Sequence, residues 1–137
     1  MSEFVLQSSH AGTCLKFVNK GCDHLDIIVE TPTLMVSSKI PTIALGLDSG
    51  FSEFFQNLGS SKAPWSKELT WRAFEGVLRF RATCDVVGHV KIDIGIVSDY
   101  PGDTWSFTCP MTFDLGQLPK LALDAELFVN EEIEPTI

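Results

Sequence analysis

The 137-residue chain is short of basic residues, with ten Lys and Arg against eighteen Asp and Glu, a formal net charge of −8 and a pI near 4.7. That deficit disfavours nucleic acid as a partner, because phosphate binding needs a basic stripe that displaces counterions. It suits a basic protein partner, since opposite fields steer encounter. No apolar run approaches the roughly 20 residues of a membrane helix, and no charged-then-apolar leader opens the chain. A cytoplasmic protein with no membrane association is expected. Repeats and low-complexity stretches are missing too. One domain over residues 1–130 follows, with a loose acidic tail at 131–137.

Catalytic signatures are equally scarce. No Ser sits in a Gly-flanked elbow, and no Cys has an identifiable base partner. Gly46, Gly50 and Gly59 are too scattered to cradle a phosphate. His89 follows Gly88 at a strand start and reads as a solvated turn histidine rather than a general base. A non-enzymatic chain with no cofactor is expected. The four cysteines do not form a disulfide framework. Cys84 and Cys109 face inward but lie two strands across and four residues along, roughly 16 Å apart, beyond disulfide reach. They read as core thiols. His10, Cys14, Cys22 and His24 offer zinc-competent ligands, yet H-x3-C and C-x-H are not recognised zinc pairs. No metal is expected, with those four residues as the weak alternative.

What the chain does have is alternation. Leu69, Trp71 and Ala73 alternate with polar residues, as do Leu78, Phe80, Ala82 and Cys84, then Val90, Ile92, Ile94 and Ile96, then Trp105, Phe107, Cys109, Met111 and Phe113. Side chains two apart share a face, so each segment has one buried and one wetter side. Glu75-Gly76 as a two-residue turn pairs Trp71 with Phe80. An odd loop of three or five residues at Asp85–Gly88, with Gly88 at positive φ, preserves the faces. A turn around Pro101-Gly102 places Ile96 opposite Trp105 and Ile94 opposite Phe107. These four segments predict an antiparallel meander.

In the first half, Leu15–Phe17, Leu25–Val29 and Leu34–Ile40 read as strands, and Ile43, Leu45 and Leu47 as a further short one. Ser49 caps a predicted helix whose Phe51, Phe54, Phe55 and Leu58 share one stripe, ended by Gly59. A second stripe runs through Leu118, Leu121, Ala122, Ala125 and Phe128. That helix starts at Gly116 or Gln117, with Pro119 in its first turn, where a missing N–H costs little. The fold class is therefore α+β and predominantly antiparallel β: a C-terminal four-strand meander, a second smaller set of strands and two helices.

The meander register has a consequence on its outer face. It sets Arg72 directly opposite Arg79, with Arg81 next along, and like charges so placed cost stability unless a carboxylate intervenes. Asp93 can sit beside Arg79 or Arg81, depending on the length of the Asp85–Gly88 loop. Arg72, Arg79, Arg81 and Asp93 are thus candidate ligands for a carboxylate or phosphate.

Trp71, Glu75-Gly76-Val77-Leu78-Arg79-Phe80, Ala82, Asp85, Gly88-His89-Val90, Trp105 and Leu115-Gly116-Gln117-Leu118 together resemble a small uncharacterised bacterial family. Its pattern is W…G-x-L-x-[FL]-x-A…D…GHV…W…GQL, and the resemblance covers roughly residues 71–125. It brings no catalytic signature. By analogy of size, charge and fold type, it implies an immunity-type protein that binds and neutralises a basic partner. Asp85, Asp99, Tyr100 and Asp103, in turns of the meander, are the partner-binding residues expected on that reading. A small anionic-ligand binder using Arg72, Arg79 and Arg81 is the alternative.

Overall fold

Alternating apolar residues in both halves of the chain produce strands that each bury one side, and two helices fill the space those sides enclose. The computed structural model describes residues 3–10, 12–46, 49–73, 76–98, 101–102 and 104–131. Strands β1 (Phe4–Gln7), β2 (Cys14–Val18), β3 (His24–Glu30) and β4 (Met35–Pro41) precede helix α1 (Phe51–Gly59). Strands β5 (Leu69–Arg72), β6 (Leu78–Cys84), β7 (His89–Val97) and β8 (Ser106–Asp114) precede helix α2 (Leu118–Asn130). Each set of strands is an antiparallel meander in chain order. The architecture therefore runs twice through four strands and a helix, although the sequence carries no matching repeat. Among the described residues no helix is long and apolar enough to cross a membrane.

The first sheet gains a strand that its sequence does not advertise. β1 buries only Phe4 and Leu6, too short an alternation to stand out. The expected strand through Ile43 and Leu45 is instead a 3-10 turn at Thr42–Leu45, and Leu47 lies outside the described residues. Thr42 explains the change: its N–H donates to Asp23 O at 2.8 Å and its hydroxyl to Gly21 O at 2.7 Å. Those bonds pin the chain to the β2–β3 connection and turn it away from the sheet. Ser49 does act at the α1 start, where its Oγ accepts the Phe51 N–H at 3.2 Å. Gly50 is the residue at the N-cap, with φ of 79°. At α2 the helix proper starts at Leu118 after a 3-10 turn, Leu115–Gln117, and Pro119 sits in the first turn as expected.

In the second sheet Trp71 faces Phe80 and Arg72 faces Arg79, as the alternation requires. The β7–β8 register differs from expectation by two residues: Ile96 faces Phe107 and Ile94 faces Cys109. Ser98 N–H donates to Trp105 O at 3.0 Å, which closes the connection with that pair. A two-residue shift keeps every side chain on its own face, so the apolar pattern cannot choose between the two registers. Cys84 faces Val90 and Cys109 faces Ile94, still four residues along and two strands across. All four cysteines are free, and burial, aided by the Asp93 carboxylate, pushes the Cys109 thiol up.

Phenylalanines tie the layers together. Phe51 of α1 packs edge-on against Phe4 and Phe17 of the first sheet and against Trp71 of the second, with ring centroids 5.1 to 6.1 Å apart. Phe55 joins Phe4 to Phe80 in the same way. Phe128 of α2 adds to the group beside Phe4 and Phe17. Edge-on rings at this spacing add about 0.5–1.5 kcal/mol per pair beyond their burial. The sheets also touch at their outer strands, where Ser8 Oγ accepts the Thr112 N–H at 3.0 Å and Ser9 N–H donates to Thr112 O at 2.8 Å.

The two helices approach closely because Gly59 has no side chain. A Cβ there would lie 2.7 Å from Ala122 Cβ and 3.2 Å from Leu118 O. Gln56 Nε2 bridges the same seam to Ala122 O at 2.9 Å. Lys20 finishes α2 by donating to Phe128 O at 2.6 Å, with burial lowering its pKa.

The β6–β7 hairpin is a three-residue loop between Asp85 and His89, with Gly88 at φ of 90°. Asp85 Oδ1 accepts the N–H groups of His89 at 2.9 Å and Val87 at 3.0 Å, and Oδ2 lies 3.1 Å from His89 Nδ1. The His89 backbone N–H, followed by that of Val87 and the imidazole, holds the Asp85 carboxyl below its usual range.

Gly59→Ala is expected to lower stability by roughly 1–3 kcal/mol through overpacking, despite the better helix propensity of Ala. Urea unfolding checks this. Gly59→Ala with Ala122→Gly should recover part of the loss, and an unchanged midpoint for the single variant would contradict the close helix seam. Asp85 contributes stability that is present above its unfolded pKa and lost as pH falls through its lowered folded value. Asp85→Asn should therefore unfold more easily than the parent at pH 7, with the difference shrinking at pH 3. A difference that stays constant with pH would refute this assignment.

Candidate functional site

Hydrogen bonding at the β5–β6 turn decides how close the outward arginines stand. Ala73 N–H donates to Leu78 O at 2.9 Å, so Ala73 and Leu78 are a hydrogen-bonded pair. In an antiparallel ladder the pair types alternate, which makes Arg72 and Arg79 a non-hydrogen-bonded pair. That is the closer kind, with Cα atoms about 4.5 Å apart. Two cationic side chains therefore rise from the nearest approach that the sheet allows. Both are exposed. Among the described residues neither forms an ion pair or a side-chain hydrogen bond.

Each guanidinium lies across a glycine. A Cβ on Gly95 would meet Arg79 Nε and Nη2 at 3.4 Å and Cζ at 3.7 Å, so the Nε–Nη2 edge of the guanidinium is tipped toward Gly95. Gly76 receives Arg72 in the same way, at 2.9 Å to Nε and 3.3 Å to Cζ. Gly95 is the cross-strand partner of both Arg79 and Thr108. Its bare backbone leaves the space that the Arg79 guanidinium occupies.

Arg81 and Lys91 are arranged differently. Asp93 faces Arg81 across the β6–β7 ladder and binds its Nη2 at 3.1 Å, with Lys91 Nζ at 3.9 Å. Glu68 holds Arg81 Nη1 at 3.3 Å. The Asp93 side chain is only 17% exposed, while that of Arg81 is 54% exposed. Among the described residues the carboxylates therefore serve the Arg81–Lys91 end and leave the Arg72–Arg79 end uncompensated. Among the described residues, four cations (Arg72, Arg79, Arg81, Lys91) and two carboxylates (Glu68, Asp93) leave a surplus of two positive charges on an acidic protein. A groove of about 470 Å³ runs over this face, bounded by Thr70, Arg72, Arg79, Lys91, Asp93 and Thr108.

The structure thus brings together Arg72, Arg79, Arg81 and Asp93, the set expected from the register. The expectation does not single out Gly95, Lys91, Glu68, Thr70 or Thr108. Gly95 carried a readable signal, an outward glycine inside an otherwise β-branched strand, where a close approach of another group is the usual reason.

The zinc-competent set is not assembled among the described residues. Cys14 and His10 lie at the β1–β2 end of the first sheet, whereas Cys22 and His24 lie at the β2–β3 end. The four steps from Cys14 to Val18 alone span roughly 14 Å. Among the described residues no group of His, Cys, Asp and Glu is placed to hold a metal ion. His10 instead shares a depression of about 460 Å³ with Cys84, Asp85, His89 and Lys91. Asp85 is committed to its own hairpin, as described above. Asp99, Tyr100 and Asp103 lie outside the described residues.

Comparison with solved structures finds MRP1/MRP2 of Trypanosoma bruciei, at 12% identity and a TM-score of 0.45, over 92% of this chain and 84% of that one. Comparison with curated proteins finds no match. A family model matches residues 6–132, which takes the similarity well beyond the second-half motifs and across both sheets. The chain belongs to that family, a family of unknown function (DUF6228).

Proposed function

We propose that this chain binds a small anionic ligand on the outer face of its second sheet, between Arg72 and Arg79. One observation carries the reading: two arginines occupy the closest cross-strand position with no carboxylate beside them among the described residues. Like charges so placed oppose folding by a few tenths of a kcal/mol up to about 1 kcal/mol. An anion between them removes that repulsion and accepts charge-assisted hydrogen bonds worth roughly 1.5–3 kcal/mol each. The balance therefore favours the occupied face over the empty one. Binding of this kind is screened by salt, because the groups are exposed.

A second reading is a protein-binding domain of immunity type, which engages a basic partner through the β6–β7 hairpin. It is supported by Val86 and Val87, which are 91% and 71% exposed at the tip of that hairpin next to Asp85. The committed Asp85 carboxylate weakens it relative to the arginine site.

Calorimetric titration with inorganic phosphate at constant chloride tests the first reading. Arg72→Gln and Arg79→Gln should each weaken binding at least ten-fold, while Lys39→Gln, on the other sheet, should leave it unchanged. Gly95→Val keeps every charge but fills the space that the Arg79 guanidinium occupies, so it should weaken binding with the fold intact by circular dichroism. Equal affinities across all four variants would exclude the site.

A further inference from the structure

The charge balance and dimensions of the arginine groove say more about the ligand than that it is negative. Arg81 and Lys91 are already engaged by Glu68 and Asp93 at 3.1 to 3.9 Å. Among the described residues the surplus of two charges is therefore localised on Arg72 and Arg79. A monoanion would neutralise only half of it. A group with two charges and several acceptor oxygens matches two guanidinium edges, because each edge offers a pair of parallel N–H donors.

Size separates a bare anion from an organic one. The groove, at about 470 Å³, falls within the roughly 300–1,000 Å³ of small-molecule sites. Inorganic phosphate fills only a small fraction of that. The remaining length crosses the sheet from the arginine pair to Thr108 on β8, with Thr70 at the near edge. Threonine hydroxyls both donate and accept, while the little-exposed Asp93 carboxylate is taken up by Arg81 and Lys91. The distal lining is thus a threonine hydroxyl beside the mutually paired Arg81, Lys91 and Asp93, which suits hydroxyl groups.

Resting on the anion-binding reading above, we infer that the groove takes a small organic phosphate monoester in its dianionic form. The phosphoryl group lies between Arg72 and Arg79, and a hydroxyl-bearing body runs past the Arg79 guanidinium toward Thr108. Arg79 has two parts in this arrangement: its edge binds the phosphoryl oxygens, and its stem walls the groove. Gly95 gives the Arg79 guanidinium its place, since a side chain there would displace it. Carboxylates of a single charge, sulfate esters and polyphosphates fit less well, the first two for want of charge and the last because their charge exceeds the two that Arg72 and Arg79 supply.

The test uses the full chain with ribose 5-phosphate, glucose 6-phosphate, glucose 6-sulfate and inorganic phosphate as probes, titrated at pH 7.5 and pH 5.5. A phosphate monoester loses its second charge around pH 6, whereas a sulfate ester keeps one charge throughout and so controls for titration of the protein. At pH 7.5 glucose 6-phosphate should bind at least ten-fold tighter than glucose 6-sulfate, and at pH 5.5 the gap should close to about two-fold. A gap that is absent at pH 7.5, or unchanged at pH 5.5, overturns the dianion. At least one sugar phosphate should bind several-fold tighter than inorganic phosphate, and Thr108→Val should narrow that advantage without changing affinity for inorganic phosphate. If no sugar phosphate exceeds inorganic phosphate, the organic body is overturned while anion binding stands. If none of the four probes binds, the anion-binding reading itself falls.

Discussion

Every other feature of this molecule depends on the phenylalanine cluster centred on Phe51 and Phe55. These two rings of α1 touch Phe4 and Phe17 of the first sheet and Trp71 and Phe80 of the second. They make one core from two meanders that otherwise meet only at Ser8, Ser9 and Thr112 among the described backbone and side-chain bonds. Losing one such ring typically costs 3–5 kcal/mol, a large share of a domain's stability. With the inner face of each sheet committed to this cluster, strand periodicity sends every alternate residue outward. Arg72 and Arg79 therefore face solvent together because Trp71 and Phe80 face the core together.

This coupling explains how a destabilising pair can persist. The repulsion between two exposed guanidinium groups is a fraction of what the Phe51–Phe80–Trp71 contacts contribute. A rigid sheet can hold the pair in place without any side chain having to organise it. The glycines at 76 and 95 complete the arrangement, since each leaves room for a guanidinium against the backbone. Arg81, by contrast, is spoken for by Glu68 and Asp93. Among the described residues one strand thus carries a compensated arginine and an uncompensated one two residues apart, a difference in partners rather than in residue type.

Much of this architecture was legible in the sequence, for reasons that can be stated residue by residue. The second sheet has long, in-phase alternation and hairpin turns that allow only a few loop lengths, so Trp71–Phe80 and Arg72–Arg79 follow from pattern alone. Both helical stripes and the place of Pro119 follow from period and backbone chemistry. The β7–β8 register did not, because a shift of two residues leaves the faces unchanged. β1 was invisible because two buried residues are too few to define a period. The turn at Thr42–Leu45 depends on bonds to Gly21 and Asp23, twenty residues away in the chain, and no local signal encodes them. At the site, the charged residues were readable as a set. Their division into satisfied and unsatisfied members was not, since it depends on which arginine Asp93 faces across the ladder.

The central claim is that Arg72 and Arg79 repel one another in the free protein and are reconciled by an anion. A double-mutant cycle on these two residues, using glutamine replacements and unfolding free energies, tests it most directly. In phosphate-free buffer at low salt the account predicts an unfavourable coupling, so that removing either charge stabilises the protein or leaves it no weaker. At saturating phosphate the coupling should change sign. A favourable coupling in the absence of anion, or one that phosphate leaves unaltered, would contradict the account.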